Sequence, residues 1–130
     1  MGFVTILDEA PSGERFGTRQ LEIAAGTVTL RMLIERRIRE EVEEFNRKQP
    51  DVFSGFIQPT ETEKVLNGYR LKAKRQLSWE NQYKKALEAF ANNGFFVIVD
   101  GHQVEELDEV IPLRETSEVH FLKLVPLVGG

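Results

Sequence analysis

The pattern of apolar and polar residues predicts a chain that begins with two strands. Residues 3–7 are rich in apolar and β-branched side chains, and residues 8–13 supply the turn formers that follow them. Residues 19–23 alternate polar and apolar side chains, which is typical of a half-buried strand. We therefore predict a β-hairpin, followed by a sharp change of chain direction at Gly26, which lacks the Cβ atom that restricts other residues.

An amphipathic helix that begins after Thr27 or Thr29 has the clearest periodicity in the chain. Its apolar residues recur every three or four positions: Leu30, Leu33, Ile34, Ile38, Val42 and Phe45. We interpret the charged residues between them as a solvated face, with a docking stripe for a partner as the alternative: Arg31, Glu35, Arg36, Arg37, Arg39, Glu40, Glu41, Glu43 and Glu44. Pro50 predicts the end of the helix.

Residues 50–94 have a less regular pattern. Residues 60–63 match a capping box that would start a short helix, and Asn67-Gly68 would end it. The same Asn67-Gly68 pair could instead be the turn of a hairpin, so both structures remain open. Ser78 is expected to cap a second helix that ends at Asn93-Gly94. One face of this helix is expected to pack onto the sheet: Trp79, Tyr83, Ala86, Leu87 and Phe90.

The last third of the chain predicts further strands. Residues 95–99 form an apolar run that is too short for a helix, which indicates a central strand. Asp100-Gly101 predicts a tight turn into a short strand at residues 102–104, with His102 in the turn. A loop is expected over residues 107–113, and a final strand over residues 118–125. This order predicts an α+β fold in a single domain that spans residues 1–130.

Composition narrows the possible functions. The 130 residues are 41% hydrophobic and 29% charged, and no apolar run approaches the roughly 20 residues of a membrane helix. Without a signal-peptide pattern, we expect a cytoplasmic protein with no membrane contact. The absence of cysteine excludes disulfides, thiolate metal sites and cysteine nucleophiles. A net charge of -4 argues against nonspecific nucleic-acid binding.

The remaining candidate groups give no indication of an enzyme. His102 and His120 do not have the spacing of a metal site, and the serines lack the context of a nucleophile elbow. The acidic residues 105–109 are most simply a solvated loop, or else a contact for a basic partner. Residues 70–75 are basic, but nucleic-acid binding there is the weaker interpretation. We expect no metal, no bound cofactor and no catalytic residue.

The most distinctive chemistry belongs to Gly129 and Gly130, which follow the final predicted strand. At an average glycine usage of about 7%, such a pair at the end of a chain arises by chance with a probability of about 0.5%. The carboxylate of Gly130 is ionised at neutral pH and could attack the α-phosphate of ATP on a partner enzyme. Residues 125–130, fully extended, would reach about 20 Å into such an enzyme. Flexible glycines without a chemical role are the alternative.

These residues resemble the ubiquitin-like β-grasp family, and most specifically the small sulfur carriers of molybdopterin and thiamine synthesis. The matching segments are Thr27-Val28, residues 97–101 (VIVDG), residues 111–113 (IPL), residues 117–121 (SEVHF) and residues 126–130 (PLVGG). The resemblance covers about residues 3–49 and 95–130, so that residues 50–94 are an insertion that contains a second helix. It implies a mixed β-grasp sheet with a packed helix, and a partner-binding tail: Pro126, Leu127, Val128, Gly129 and Gly130.

The resemblance also implies partners and a function. An adenylating enzyme similar to the ubiquitin-activating enzymes would consume ATP to activate Gly130, which would then be transferred to a target protein. A conjugating enzyme and a deconjugating peptidase could act with it. The alternative is a sulfur carrier, with a C-terminal thiocarboxylate, for a sulfur-accepting synthase. A second alternative is a structural protein similar to the ubiquitin-like domain of phage tail-assembly proteins, suggested by residues 15–17 and Val125-Pro126. The large insertion favours the modifier.

Overall fold

The computed structural model describes residues 2–23, 26–53, 55–65, 68–124 and 126–128. Within these ranges it contains two helices and nine strands, so the predicted α+β class is confirmed. The elements are β1 (Gly2–Glu9), β2 (Arg15–Ile23), β3 (Gly26–Thr29), α1 (Leu30–Lys48), β4 (Thr62–Val65), β5 (Gly68–Leu71), α2 (Trp79–Ala91), β6 (Phe95–Val99), β7 (His102–Val104), β8 (Val110–Leu113) and β9 (Glu118–Lys123). Neither helix in the described ranges is long and apolar enough to cross a membrane.

Five strands form a mixed sheet in the order β2-β1-β9-β6-β7. The predicted hairpin of β1 and β2 is confirmed, although β2 begins earlier than predicted, at Arg15. The register shifts between Asp8 and Glu9, so that Asp8 pairs with Gly17 and Glu9 with Arg15, as at a β-bulge. The last strand, β9, lies at the centre of the sheet, parallel to β1 and antiparallel to β6.

Helix α1 packs across one face of this sheet. Its predicted apolar stripe is buried against the inward-facing residues of the strands, which alternate along each strand: Val4, Ile6, Leu21, Ile23, Val97, Val99, Val119 and Phe121. The choice between Thr27 and Thr29 as cap is resolved, because the Met32 N–H donates to Thr29 Oγ1 over 3.2 Å. The helix ends at Lys48, and Gln49 adopts a left-handed conformation.

The interpretation of all the charged residues of α1 as a solvated face is wrong at two positions. Arg37 and Glu41 are only 2% and 6% exposed. They lie one turn apart, next to the apolar stripe, and Asp8 of the sheet faces them. Burial is tolerated here because the charges pair with one another inside the protein.

Residues 62–71 form the hairpin alternative and not the short helix, although Gly68 belongs to β5 and not to the turn, and Asn67 lies outside the described residues. Strands β4 and β5 pair antiparallel, with Val65 opposite Gly68, so the capping-box prediction for residues 60–63 is wrong. Helix α2 is confirmed, and the Asn81 N–H donates to its cap, Ser78 Oγ, over 3.2 Å. Its predicted packing is confirmed in part: Phe90 lies against Phe95 of β6, with ring centroids 5.6 Å apart, but α2 also packs along α1.

The loop predicted over residues 107–113 is also wrong in part. Val110–Leu113 forms β8, which pairs antiparallel with β3. Pro112 is an unusual strand residue, but it is exposed, opposite Thr27, in a sheet of only two strands. The Asp100-Gly101 turn is confirmed by positive φ angles at both residues, and His102 begins β7 directly after it.

Candidate functional site

The described end of the chain folds back onto the protein beside β6. We call residues 126–128 the tail and residues 56–58 the tail-binding segment. The Gln58 N–H donates to the carbonyl oxygen of Leu127 over 2.7 Å, and Gln58 pairs with Val128 in a parallel β-bridge. The tail therefore does not extend freely from β9, as the reach of about 20 Å would require.

Leu127 holds the tail by its side chain as well. It is 7% exposed and belongs to the same core as the sheet and α1, whereas Val128 is 53% exposed and Pro126 is also exposed. Gly94 lies close to this side chain, since a Cβ atom at Gly94 would be 3.2 Å from Leu127 Cδ2. Of the residues predicted to bind a partner, the structure thus exposes two and buries one. Gly129 and Gly130 lie outside the described residues.

Phe56 anchors the tail-binding segment to the body of the protein. Its N–H donates to Glu41 Oε2 over 2.7 Å, and its ring meets those of Phe95 and Phe121 edge-on, with centroids 4.8 and 5.1 Å away. Ile57, the next residue, is also fully buried. The segment is therefore a fixed surface on which the tail lies.

A cluster of charges supports this anchor from within the core. The Arg37 guanidinium lies over the rings of both Phe56 and Phe121, at 4.4 and 4.5 Å from their centroids. It donates to Glu41 Oε1 over 2.7 Å and to both oxygens of Asp8 over 2.5 Å. Burial alone would lower the pKa of Arg37, but the charges of Glu41 and Asp8 raise it above its ordinary value.

Lys123, the last residue of β9, lies beside this cluster. Its Nζ is 4.8 Å from the centroid of the Phe56 ring. Burial lowers the pKa of Lys123, and the charge of Asp8 acts in the opposite direction. The point at which the chain leaves the sheet is therefore packed against the same aromatic ring that anchors the tail-binding segment.

The other candidate residues form local ion pairs. His102 pairs with Glu109 over 3.0 Å, and His120 pairs with Glu9 across β9 and β1. Among the described residues, no group of three or more acidic or histidine side chains could hold a metal ion. Most side chains of the acidic loop are exposed, and Asp108 pairs with Arg31 over 3.1 Å. In the basic segment, Arg70 pairs with Glu63 over 3.5 Å.

Gln58, Gly94 and Glu41 were not among the predicted site residues. Glu41 could have been found, because it continues the buried stripe of α1 one turn after Arg37. Gln58 and Gly94 act through a backbone N–H and a missing Cβ, which leave no signal in the hydrophobic pattern. No protein-family model, no curated protein and no solved structure that was compared with the chain matches it.

Proposed function

We propose that the chain is a ubiquitin-like protein modifier of β-grasp fold whose reactive group is the carboxylate of Gly130. The position of β9 carries the proposal: this last strand lies at the centre of the sheet, parallel to β1, with α1 packed across the sheet. The resemblance to β-grasp proteins implies a mixed sheet with a packed helix, and this arrangement supports the proposal. The tail begins three residues after β9 ends.

The chemistry requires an activated acyl group. The carboxylate oxygen of Gly130 attacks the α-phosphate of ATP on the partner enzyme, and pyrophosphate leaves. The acyl-adenylate then reacts with a nucleophile, the amine of a target protein or first an enzyme thiolate, and AMP leaves. Glycine fits this role because it has no Cβ to block close passage by the nucleotide. If the natural chain continues past Gly130, a peptidase must first expose this carboxylate.

The insertion favours a modifier over a minimal sulfur carrier. Residues from this insertion enter the main core, including Phe53, Phe56, Ile57 and Leu77. These buried residues fix the insertion to the body of the protein, so that its exposed residues add a surface beyond the sheet and α1 that a partner or target could bind. A sulfur carrier uses the same first step but accepts sulfide at the activated carbonyl.

Mass spectrometry after incubation with ATP tests the proposal and separates the alternatives. The probe is a panel of purified adenylating enzymes of the ubiquitin-activating and sulfur-carrier-activating types, with a protein extract as the source of targets. Covalent adducts on other proteins, joined through Gly130, are the expected result. Replacement of one oxygen by sulfur would favour the sulfur carrier, and no ATP-dependent change with any enzyme would overturn both.

A variant tests the role of the terminal residue. Gly130→Val is expected to reduce activation strongly, because the branched side chain of valine would block the close passage of the backbone by the nucleotide. Lys74→Ala, a change at an exposed residue of the insertion, serves as the control and should be activated like the wild type. Activation of Gly130→Val at the wild-type rate would contradict the proposal.

A further inference from the structure

We infer that the tail-binding segment is a binding site for the chain's own C-terminal segment, and that partners reach Gly130 only after the tail leaves it. The consequence for activation rests on the proposed function, whereas the contact between the tail and the tail-binding segment does not. The occupant is present in the structure, with the Gln58 N–H bonded to the Leu127 carbonyl and Gln58 paired with Val128. The insertion would then control access to the terminus.

The chain is bound at two places after it leaves the sheet. Directly after β9, the Leu124 N–H donates to the Gly94 carbonyl oxygen over 2.9 Å. Three residues later, the Leu127 side chain packs close to the same Gly94. Gly94 follows α2, and Gln58 lies between α1 and β4, so two parts of the insertion hold the tail.

The two sides of this contact differ in how firmly they are fixed. Phe56 and Ile57 are each 1% exposed, and the Phe56 N–H is bonded to the buried Glu41. The tail has one buried side chain, Leu127, between the exposed Pro126 and Val128. Opening therefore moves the tail and leaves residues 56–58 in place, because segments with few buried contacts open at the lowest free energy.

The bound tail competes with any partner that needs it extended. If only the open form is activated, the half-saturating concentration of the protein increases by the reciprocal of the open fraction. Weakening the contact should lower that concentration, and fixing the contact should prevent activation. This dependence is the functional content of the inference.

Amide hydrogen exchange tests the contact without any partner. We expect the Gln58 N–H of the intact protein to exchange more slowly than in an unfolded chain. Its exchange rate should not depend on low urea concentrations, because exchange occurs through a local opening. The Phe56 N–H should exchange only through larger unfolding. An unprotected Gln58 N–H, or one that exchanges only on global unfolding, would overturn the inference whatever the protein's function.

A matched pair of variants tests the consequence. Gln58→Pro removes the N–H that binds Leu127, whereas Gln58→Ala keeps it and loses the side-chain bond to Thr62. Relative to Gln58→Ala, Gln58→Pro should lower the half-saturating concentration for ATP-dependent activation roughly three- to tenfold, the factor expected for one net hydrogen bond. Circular dichroism checks that both variants fold. Equal half-saturating concentrations in the two folded variants would contradict the inference.

A reversible cross-link provides the second test. The chain has no cysteine, so Gln58→Cys combined with Val128→Cys introduces its only thiols. Neighbouring strands lie about 4.8 Å apart, within the Cα separation that a disulfide spans. The oxidised protein should not be activated, and a reductant should restore activation; each single variant should be insensitive to oxidation. Activation of the oxidised protein would overturn the inference. No activation of the wild type or any variant would instead reject the proposed function, and leave the exchange result to decide the contact.

Discussion

Arg37 of α1 donates two hydrogen bonds, each 2.5 Å long, to the carboxylate of Asp8 on β1. A planar guanidinium suits this two-point contact, which fixes the direction of the helix over the strand. The third contact of Arg37, with Glu41, extends the cluster to the Phe56 N–H. The sheet, the helix and the tail-binding segment are thus joined by one set of buried charges.

Removal of Glu41 should therefore be costly. Glu41→Ala leaves the Phe56 N–H without its acceptor and Arg37 with one carboxylate fewer, and we expect the free energy of unfolding to fall by about 3 kcal/mol. Glu43→Ala, the same change two residues later on α1, breaks only the exposed pair with Arg39 and should cost less than about 0.5 kcal/mol. Urea unfolding of both variants measures the difference; similar losses would contradict the assigned role of Glu41.

The sequence predicted the elements better than their contacts. The hairpin, both helices and β6 follow local sequence patterns, which act within a few residues. Arg37 falls on the apolar stripe of α1, but its pairing with Asp8 joins residues far apart in sequence, which no local pattern predicts. The contact of the tail with Gln58 uses backbone atoms, so no side-chain pattern encodes it.

Gln82 is the buried polar residue of α2. It is 1% exposed, and its Nε2 has no hydrogen-bond partner in the described part of the chain. We expect Gln82→Met, which keeps length and helix propensity, to raise the free energy of unfolding by about 1 kcal/mol, because it removes an unpaired buried amide.

Lys84→Met is the control for this change, since Lys84 is an exposed residue of the same helix. Its effect should stay within about 0.5 kcal/mol. Urea unfolding again provides the measurement. A loss of stability in Gln82→Met would mean that the Gln82 side chain stabilises the protein by packing more than its unpaired amide destabilises it.

The turn before β7 should make stability depend on pH. The Glu118 N–H and the Ser117 hydroxyl both donate to the Asp100 carboxylate, and they hold its pKa below the ordinary value. As the pH falls, the Asp100 carboxyl is protonated first in the unfolded chain, because its pKa is higher there than in the folded state. The stabilisation present above about pH 4 is therefore lost as the pH falls through the lower pKa of the folded state.

Asp100→Asn removes this titration and should reduce the slope of unfolding free energy against pH below about pH 4. Ser117→Ala, which removes one donor, should reduce it less. Urea unfolding between about pH 2.5 and pH 7 measures the slope, and the comparison does not depend on the stability of either variant at neutral pH. A slope unchanged in Asp100→Asn would show that other carboxylates cause the acid sensitivity.

The burial of Leu127 has a limited energetic consequence, because the tail can detach while the rest of the protein stays folded. Leu33→Ala, in the centre of α1, should cost about 3 kcal/mol, as is usual for a buried leucine. Leu127→Ala should cost only about 1 kcal/mol, since its loss cannot exceed the free energy of detaching the tail, and Val128→Ala less than about 0.5 kcal/mol. Urea unfolding ranks the three variants, and amide exchange at Gln58 should accelerate in Leu127→Ala alone among them. If Leu127→Ala proved as costly as Leu33→Ala, the tail would be part of the cooperative core and could not open separately.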